Sequence, residues 1–91
     1  QLLEGVAFLH AHGVTHCDLK MDNIVVDLDT GRLFIIDYGL AARVNSEDEL
    51  VSGYVGTDGW TAPEIGEDDE QSVHRKYSAF RADAWACGRV L

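Results

Sequence analysis

The sequence predicts an α+β fold for its 91 residues, and three patterns support that prediction. Apolar residues recur at helical spacing over residues 1–11 and again over residues 78–91. Between these segments, two runs of β-branched and aromatic residues flank a short polar stretch, as in a β-hairpin. A helix, a hairpin and a second helix in this order indicate an α+β chain.

The first predicted helix runs from Gln1 to about Ala11. Gly13 follows it and is expected to end the helix, because glycine readily takes the left-handed conformation found at helix C-termini. His10 and His12 suggest a metal site at first sight. Residues two apart on a helix point in different directions, however, so this interpretation is disfavoured.

Residues 24–26 and 33–36 are the two apolar runs of the predicted hairpin. Pairing of these runs through a turn at residues 29–31 would bring Asn23, before the first strand, close to Asp37, after the second. Amide and carboxylate oxygens are hard ligands of the kind that Mg²⁺ prefers. The sequence therefore predicts a Mg²⁺ site at the open end of the hairpin, with these two side chains as ligands.

Two more polar side chains precede the hairpin. Lys20 supplies a positive charge that can bind a phosphate group. Asp18 has no expected metal role and is free to accept a proton. The residues themselves thus indicate a Mg²⁺ site whose remaining ligands include phosphate, with a proton acceptor nearby.

Three motifs in this order resemble those of eukaryotic protein kinases. Residues 16–23, His-Cys-Asp-Leu-Lys-Met-Asp-Asn, resemble the catalytic loop His-Arg-Asp-Leu-x-x-x-Asn, and residues 37–39, Asp-Tyr-Gly, resemble Asp-Phe-Gly. Residues 56–64, Gly-Thr-Asp-Gly-Trp-Thr-Ala-Pro-Glu, resemble the segment that ends in Ala-Pro-Glu. The resemblance covers nearly the whole chain. It implies a fragment of the protein-kinase-like fold, a mostly helical C-lobe with a β-hairpin that carries the catalytic loop.

The resemblance also implies roles for the polar residues. Asp18 would accept or orient the proton of the substrate hydroxyl, and Lys20 would steady the transferred phosphoryl group. Asn23 and Asp37 would bind Mg²⁺ together with ATP, and Val25 would form the floor of the adenine site. Asp18 and Lys20 are therefore the predicted catalytic residues, and the predicted cofactor-binding residues are Lys20, Asn23, Val25 and Asp37.

The implied activity is transfer of the ATP γ-phosphate to a Ser or Thr hydroxyl of a protein substrate. Lys20 resembles a lysine of Ser/Thr kinases that tyrosine kinases generally lack, and Thr57 in the Gly-Thr-x-x-Trp stretch favours the same class. One alternative is a pseudokinase that acts as a scaffolding or binding module. It would be favoured if the parent protein lacks the strand lysine that grips the α- and β-phosphates. A second alternative is an unrelated small acidic domain, which would fold cooperatively alone.

Cys17 is the main departure from the kinase pattern. It stands where the family usually carries an Arg that binds a phosphate on the activation loop. Gly53 stands four residues before Thr57, where many kinases carry their main phosphorylation site. Both halves of the phosphate switch are absent, which implies an activity not regulated by activation-loop phosphorylation through this position. Thr57 itself is expected to lie near Asp18 and Lys20.

The resemblance to protein kinases also implies structural roles for His16 and Asp83. His16 is expected to pack beneath Tyr38 and not to act as a base. Asp83 is expected to accept hydrogen bonds from the backbone N–H groups of the catalytic loop. Trp85 and Cys87, on the apolar face of the last predicted helix, are expected to be core residues.

Residues 37–64 would form the activation segment. Its middle part, residues 45–53, is polar and has no periodicity, so a mobile loop is expected there. Residues 62–64 are expected to begin a short helix, since a proline near a helix start is well tolerated.

Composition limits the classes of partner. The formal net charge of −9 argues against nucleic-acid binding, which needs basic patches. The acidic runs at 47–49 and 67–70 are expected to be solvated loops, with docking of a basic substrate as the alternative. No apolar stretch approaches the roughly 20 residues that span a bilayer. Cys17 and Cys87 do not resemble a disulfide framework, which fits an intracellular, cytoplasmic location.

The extent of the chain gives one more expectation. It starts within one predicted helix, ends within another and has no initiating Met. Residues 1–91 are therefore expected to be a partial protein kinase domain, without the N-lobe and the later C-lobe helices. Because the Gly-rich loop and the strand lysine belong to the N-lobe, these residues alone are expected to be inactive.

Overall fold

The computed structural model describes residues 1–91. In chain order its elements are α1 (Leu2–Ala11), β1 (Val14–Thr15), β2 (Ile24–Asp27), β3 (Arg32–Ile35), β4 (Ala42–Arg43), β5 (Leu50–Ser52), β6 (Lys76–Ser78) and α2 (Ala79–Val90). Short 3-10 helices occur at Met21–Asn23, Pro63–Ile65 and Ser72–His74. The structure confirms the α+β class. The two helices contain 22 residues and the six short strands 18, and the mostly helical character of the C-lobe stays a prediction.

The first helix ends where glycine becomes necessary. Gly13, just beyond α1, has a φ of 74°, in the left-handed region that other residues adopt only with strain. A Cβ at this position would also lie 3.0 Å from the carbonyl oxygen of Val44. The glycine therefore ends the helix and allows the backbone after β4 to approach, and β1 pairs with β4 directly afterwards.

The predicted hairpin is formed by β2 and β3. Ile24 pairs with Ile35, and the N–H of Ile36 donates a 2.9 Å hydrogen bond to the carbonyl oxygen of Asn23. This last bond extends the pairing to the open end of the hairpin. Asn23 and Asp37 therefore lie at the same end, as the sequence predicts.

The main core lies where the two helices and the hairpin meet. Its buried members are Leu2 and Val6 of α1, Leu19, and Ala86 and Cys87 of α2. Leu19 is only 1% exposed and comes from the loop between β1 and β2, whereas its neighbours on either side remain partly exposed. Burial of this one side chain holds the middle of the loop against the core. The prediction that Cys87 is a core residue is confirmed.

The second helix buries one stripe of its surface. Ser78 caps α2 by accepting a hydrogen bond from the N–H of Arg81, and the buried side chains are at positions 79, 83, 86 and 87. The prediction for Trp85 is wrong, because this side chain is 38% exposed. Two residues along a helix is a rotation of about 200°, so Trp85 lies on the far side from position 83. Neither α1 nor α2 has the length and apolar character needed to cross a membrane.

The predicted activation segment, residues 37–64, contains more regular structure than expected. Residues 50–52, within the stretch predicted to be a mobile loop, form β5 and pair with β6. Tyr77 of β6 belongs to a second buried cluster with Ala62 and Ile65, and its hydroxyl donates to the carbonyl oxygen of Gly53. A strand of three residues whose partner lies far along the chain leaves no local periodicity, which explains the error. The short helix after Ala62 is confirmed as a 3-10 turn.

Candidate active site

A buried carboxylate organises the loop between β1 and β2. Asp83, which is 2% exposed, accepts a 2.8 Å hydrogen bond from the N–H of His16 and a 3.0 Å bond from the N–H of Cys17. Its Oδ2 atom also lies 2.9 Å from Nε2 of His10. Burying a carboxylate is costly unless hydrogen bonds replace its lost water, and these three donors do so. The predicted role of Asp83 is confirmed.

The contact between His10 and Asp83 was not predicted. From the sequence, His10 suggested only a disfavoured metal site, and its actual partner lies 73 residues away. His10 also stacks on the ring of Phe80, with a centroid separation of 4.2 Å. No local pattern in the sequence signals a contact between the end of α1 and the middle of α2.

His16 has a structural role. Its Nδ1 accepts a hydrogen bond from the N–H of Asp18, so its Nε2 carries the proton and donates to the carbonyl oxygen of Ile36 at 2.8 Å. The ring also makes an edge contact with Tyr38, with a centroid separation of 5.0 Å. Both ring nitrogens are thus occupied, and the predicted packing of His16 against Tyr38 is confirmed.

Only two residues other than glycine have a positive φ, and both belong to this region. The values are 71° for Cys17 and 61° for Asp37. Such backbone conformations are unfavourable and persist where the surrounding structure enforces them, which occurs most often at functional sites. For Cys17 the enforcing contact is the hydrogen bond from its N–H to Asp83.

The three side chains nearest the expected chemistry form a hydrogen-bonded chain. The hydroxyl of Thr57 donates to Oδ1 of Asp18 at 2.7 Å, and Nζ of Lys20 donates to the same hydroxyl at 2.9 Å. The prediction that Thr57 lies near Asp18 and Lys20 is confirmed. The catalytic roles of Asp18 and Lys20 stay predictions.

The two predicted Mg²⁺ ligands differ in how they are held. Asn23 is 5% exposed, and its Nδ2 donates a 2.7 Å hydrogen bond to the carbonyl oxygen of Asp18, so the amide oxygen is the atom that would bind a metal ion. Asp37 is exposed, and its Oδ1 accepts a 3.3 Å bond from the N–H of Gly39. Two hard oxygen donors at one end of a hairpin fit Mg²⁺, which takes its other ligands from water and phosphate.

Val25 lies on the side of the hairpin that the core does not cover. It pairs with Phe34 across the strands, and the two side chains are 43% and 47% exposed. Their strand neighbours Ile24, Leu33 and Ile35 pack against the core on the other side. An exposed apolar surface suits a flat aromatic ring, and the role of Val25 under adenine stays a prediction.

Residues 67–70, the second acidic run, are exposed, as expected of a solvated loop. Arg75 shapes this loop: its Nε donates to the carbonyl oxygen of Ile65 at 3.0 Å, and its Nη2 contacts the carbonyl oxygen of Glu67 and Oδ1 of Asp69. A Cβ on Gly66 would lie 2.5 Å from Nε of Arg75, so a larger residue would displace this guanidinium, and the φ of 75° at Gly66 also favours glycine.

The loop anchored by Asp83, the hairpin and the Asp18–Thr57–Lys20 chain define a protein-kinase-like chain. A family model described as protein kinase domain matches residues 1–91. The chain belongs to the protein kinase family. This match excludes the alternative of an unrelated acidic domain.

The most similar relatives include named kinases from plants and fungi. Over its whole length the chain is 42% identical to a putative CBL-interacting protein kinase 13 of Oryza sativa subsp. japonica, 39% to CBL-interacting serine/threonine-protein kinase 15 of Arabidopsis thaliana, and 37% to serine/threonine-protein kinase chk1 of Schizosaccharomyces pombe. It covers 17%, 20% and 17% of the lengths of these relatives. The chain thus spans at most about a fifth of the curated relatives named here.

The Cys17 thiol is partly buried, which affects its acidity. Burial raises the pKa of Cys17 above its ordinary value of 9.0, and a hydrogen bond with Thr15, whose Oγ1 lies 3.2 Å from the sulfur, acts in the opposite direction. Burial also raises the pKa of Cys87, to about 11. Since the thiolate is the reactive form, neither cysteine is activated as a nucleophile at neutral pH.

This environment predicts the pH dependence of Cys17 alkylation. Below its pKa the thiolate fraction rises about tenfold per pH unit. The rate of modification by iodoacetamide, followed by peptide mass spectrometry, should therefore still be rising at pH 9.0. Cys87 in the core is the internal control, because it should react only if the protein unfolds. A rate that reaches a plateau well below pH 9.0 would contradict this account of Cys17.

Proposed function

We propose that residues 1–91 are the C-lobe part of a longer protein Ser/Thr kinase, which transfers the γ-phosphate of ATP to a Ser or Thr hydroxyl of a protein substrate. The observation that carries this proposal is the Asp18–Thr57–Lys20 chain, in which Asp18 and Lys20 belong to the same loop as Asn23 and Thr57 joins them from a turn more than 30 residues later. Two of the relatives are named serine/threonine-protein kinases, which supports the same acceptor class.

We propose a separate task for each side chain, consistent with its hydrogen bonds. Oδ1 of Asp18 accepts the Thr57 hydroxyl, so Oδ2 is the atom that would accept the proton of the substrate hydroxyl. The ammonium group of Lys20 has three donors, and Thr57 takes one of them. The remaining two can bind oxygens of the phosphoryl group during transfer. Thr57 thereby holds the proton acceptor and the phosphate-binding cation at a fixed separation.

The cofactors of this reaction would be ATP and Mg²⁺. Asn23 and Asp37 would hold the metal, and Val25 would lie beneath the adenine ring. When bound, the metal neutralises charge on the phosphate oxygens. Phosphoryl transfer has a loose transition state, so accurate placement of these groups matters more than a strong base. Residues 1–91 alone are proposed to be inactive, because the family's Gly-rich loop and strand lysine lie in the N-lobe.

The first test is Mg²⁺-ATP-dependent phosphate transfer to a generic Ser/Thr substrate by the full-length protein. Asp18→Asn removes the proton acceptor and Asp37→Asn removes a metal-binding charge, and each should lower kcat by at least about 100-fold. Glu47→Gln is a matched control, since this carboxylate is exposed and its hydrogen bond and ion pair are with Arg81. Activity that survives both Asp substitutions would overturn the site assignment. A folded protein with no activity would indicate the pseudokinase alternative.

We further propose that this activity does not depend on a phosphate of the activation segment that is bound by residue 17. The Cys17 side chain contacts Thr15 and offers no pair of N–H donors for a phosphate, and Gly53 has no hydroxyl to modify. The activation segment is instead held by backbone pairing of its two strands: β4 pairs with β1, and β5 pairs with β6.

Phosphatase treatment tests this regulatory proposal. The purified full-length kinase should keep its kcat within about twofold after phosphatase removes all phosphate from the activation segment, with removal verified by mass spectrometry. The control is mock treatment with phosphatase in the presence of its inhibitor. A fall of tenfold or more, reversed by rephosphorylation, would show that the segment is phosphate-dependent.

A further inference from the structure

Arg89 makes two contacts with one short turn of the activation segment. Its Nε donates a 2.6 Å hydrogen bond to the carbonyl oxygen of Gly59, and its guanidinium carbon lies 5.5 Å from the centre of the Trp60 ring. A guanidinium within about 6 Å of an aromatic ring is attracted to its face. Arg89 has no carboxylate partner, although the chain carries a large excess of acidic residues. Its side-chain hydrogen bond and its cation–π contact are thus both with this turn.

The turn in question is residues 57–60, here called the Thr57 turn. The N–H of Trp60 donates a 2.9 Å hydrogen bond to the carbonyl oxygen of Thr57, which closes the turn. Gly59, inside it, has a φ of 89°. Arg89 thus holds the end of a closed turn whose first residue is Thr57.

The opposite side of the Thr57 turn is also closely packed. Gly56 has a φ of 127°, and a Cβ there would lie 2.8 Å from Cγ2 of Thr61 and 3.4 Å from the carbonyl oxygen of Cys17. The chain before Thr57 therefore rests directly on the catalytic loop. The chain after it is exposed at positions 58 and 59, where Arg89 provides the only side-chain hydrogen bond to the turn backbone.

We propose that Arg89 is a positioning residue for catalysis, acting through the Thr57 turn on the bridge between Asp18 and Lys20. The inference rests on the proposed kinase function. Arg89 holds Gly59 and Trp60, the turn holds Thr57, and the Thr57 hydroxyl joins the two catalytic side chains. Sequence patterns did not indicate this role, because Arg89 is exposed and the turn that it contacts lies about 30 residues earlier in the chain.

A double-mutant cycle in the full-length kinase tests the route of this effect. Arg89→Ala should lower kcat about 5- to 10-fold, from the loss of one hydrogen bond and one cation–π contact, with the KM for ATP unchanged. Arg89→Lys keeps a cation near the ring and should recover part of the loss. In a Thr57→Val background, Arg89→Ala should have less than about a twofold further effect, because the bridge is already absent. If Arg89→Ala lowers kcat by the same factor in the Thr57→Val background as in the wild type, the proposal is overturned.

Hydrogen exchange provides a readout that does not require activity. In Arg89→Ala, the amide of Trp60, whose hydrogen bond closes the Thr57 turn, should exchange about tenfold faster than in the wild type, whereas residues 24–35 of the hairpin should be unchanged. Arg32→Ala is the matched control, since Arg32 is exposed and its side chain makes no hydrogen bond or ion pair. Unchanged exchange in the Thr57 turn would overturn the role of Arg89. Activity retained in Asp18→Asn would instead overturn the kinase assignment, so the two failures are distinguishable.

Discussion

The buried carboxylate of Asp83 is the constraint on which the rest of the site depends. It satisfies two consecutive backbone N–H groups, those of His16 and Cys17, at the point where the chain turns into the loop. Consecutive amides can converge on one carboxylate only if the backbone is folded sharply, and Cys17 accordingly has a φ of 71°. Asp83 itself is fixed because α2 packs its buried stripe against the core. Packing of a helix thereby determines the backbone conformation of a loop more than 60 residues earlier.

After Cys17, successive side chains of the loop point alternately toward the candidate site and toward the core. Leu19 is buried, while Asp18 and Lys20 on either side of it remain accessible and share the Thr57 hydroxyl. Asn23 then closes the loop through its bond to the carbonyl oxygen of Asp18. The resulting geometry is preorganised by hydrogen bonds that are already made, which is what a reaction governed by placement and charge requires.

Features set by local patterns could be predicted from the sequence. The hairpin register follows from two apolar runs around a turn, and it places Asn23 and Asp37 together. The role of Asp83 came from the family resemblance. Features set by distant contacts could not be predicted: β5 has only three residues and a remote partner, and the exposure of Trp85 depends on which stripe of α2 meets the core. The contact of His10 with Asp83 likewise depends on tertiary packing, and the local sequence pattern around His10 does not indicate it.

The most direct measurement of the central claim is residue-resolved amide exchange at His16 and Cys17 in the wild type and in Asp83→Asn. The substitution replaces one carboxylate oxygen by an N–H₂ group that faces an N–H donor. Breaking a buried, charge-assisted hydrogen bond costs about 1.5–3 kcal/mol, so the two amides should exchange roughly 10- to 100-fold faster. Glu47→Gln, at an exposed carboxylate, should leave both amides unchanged. Equal protection of these amides in Asp83→Asn and wild type would contradict the claim that this carboxylate holds the loop.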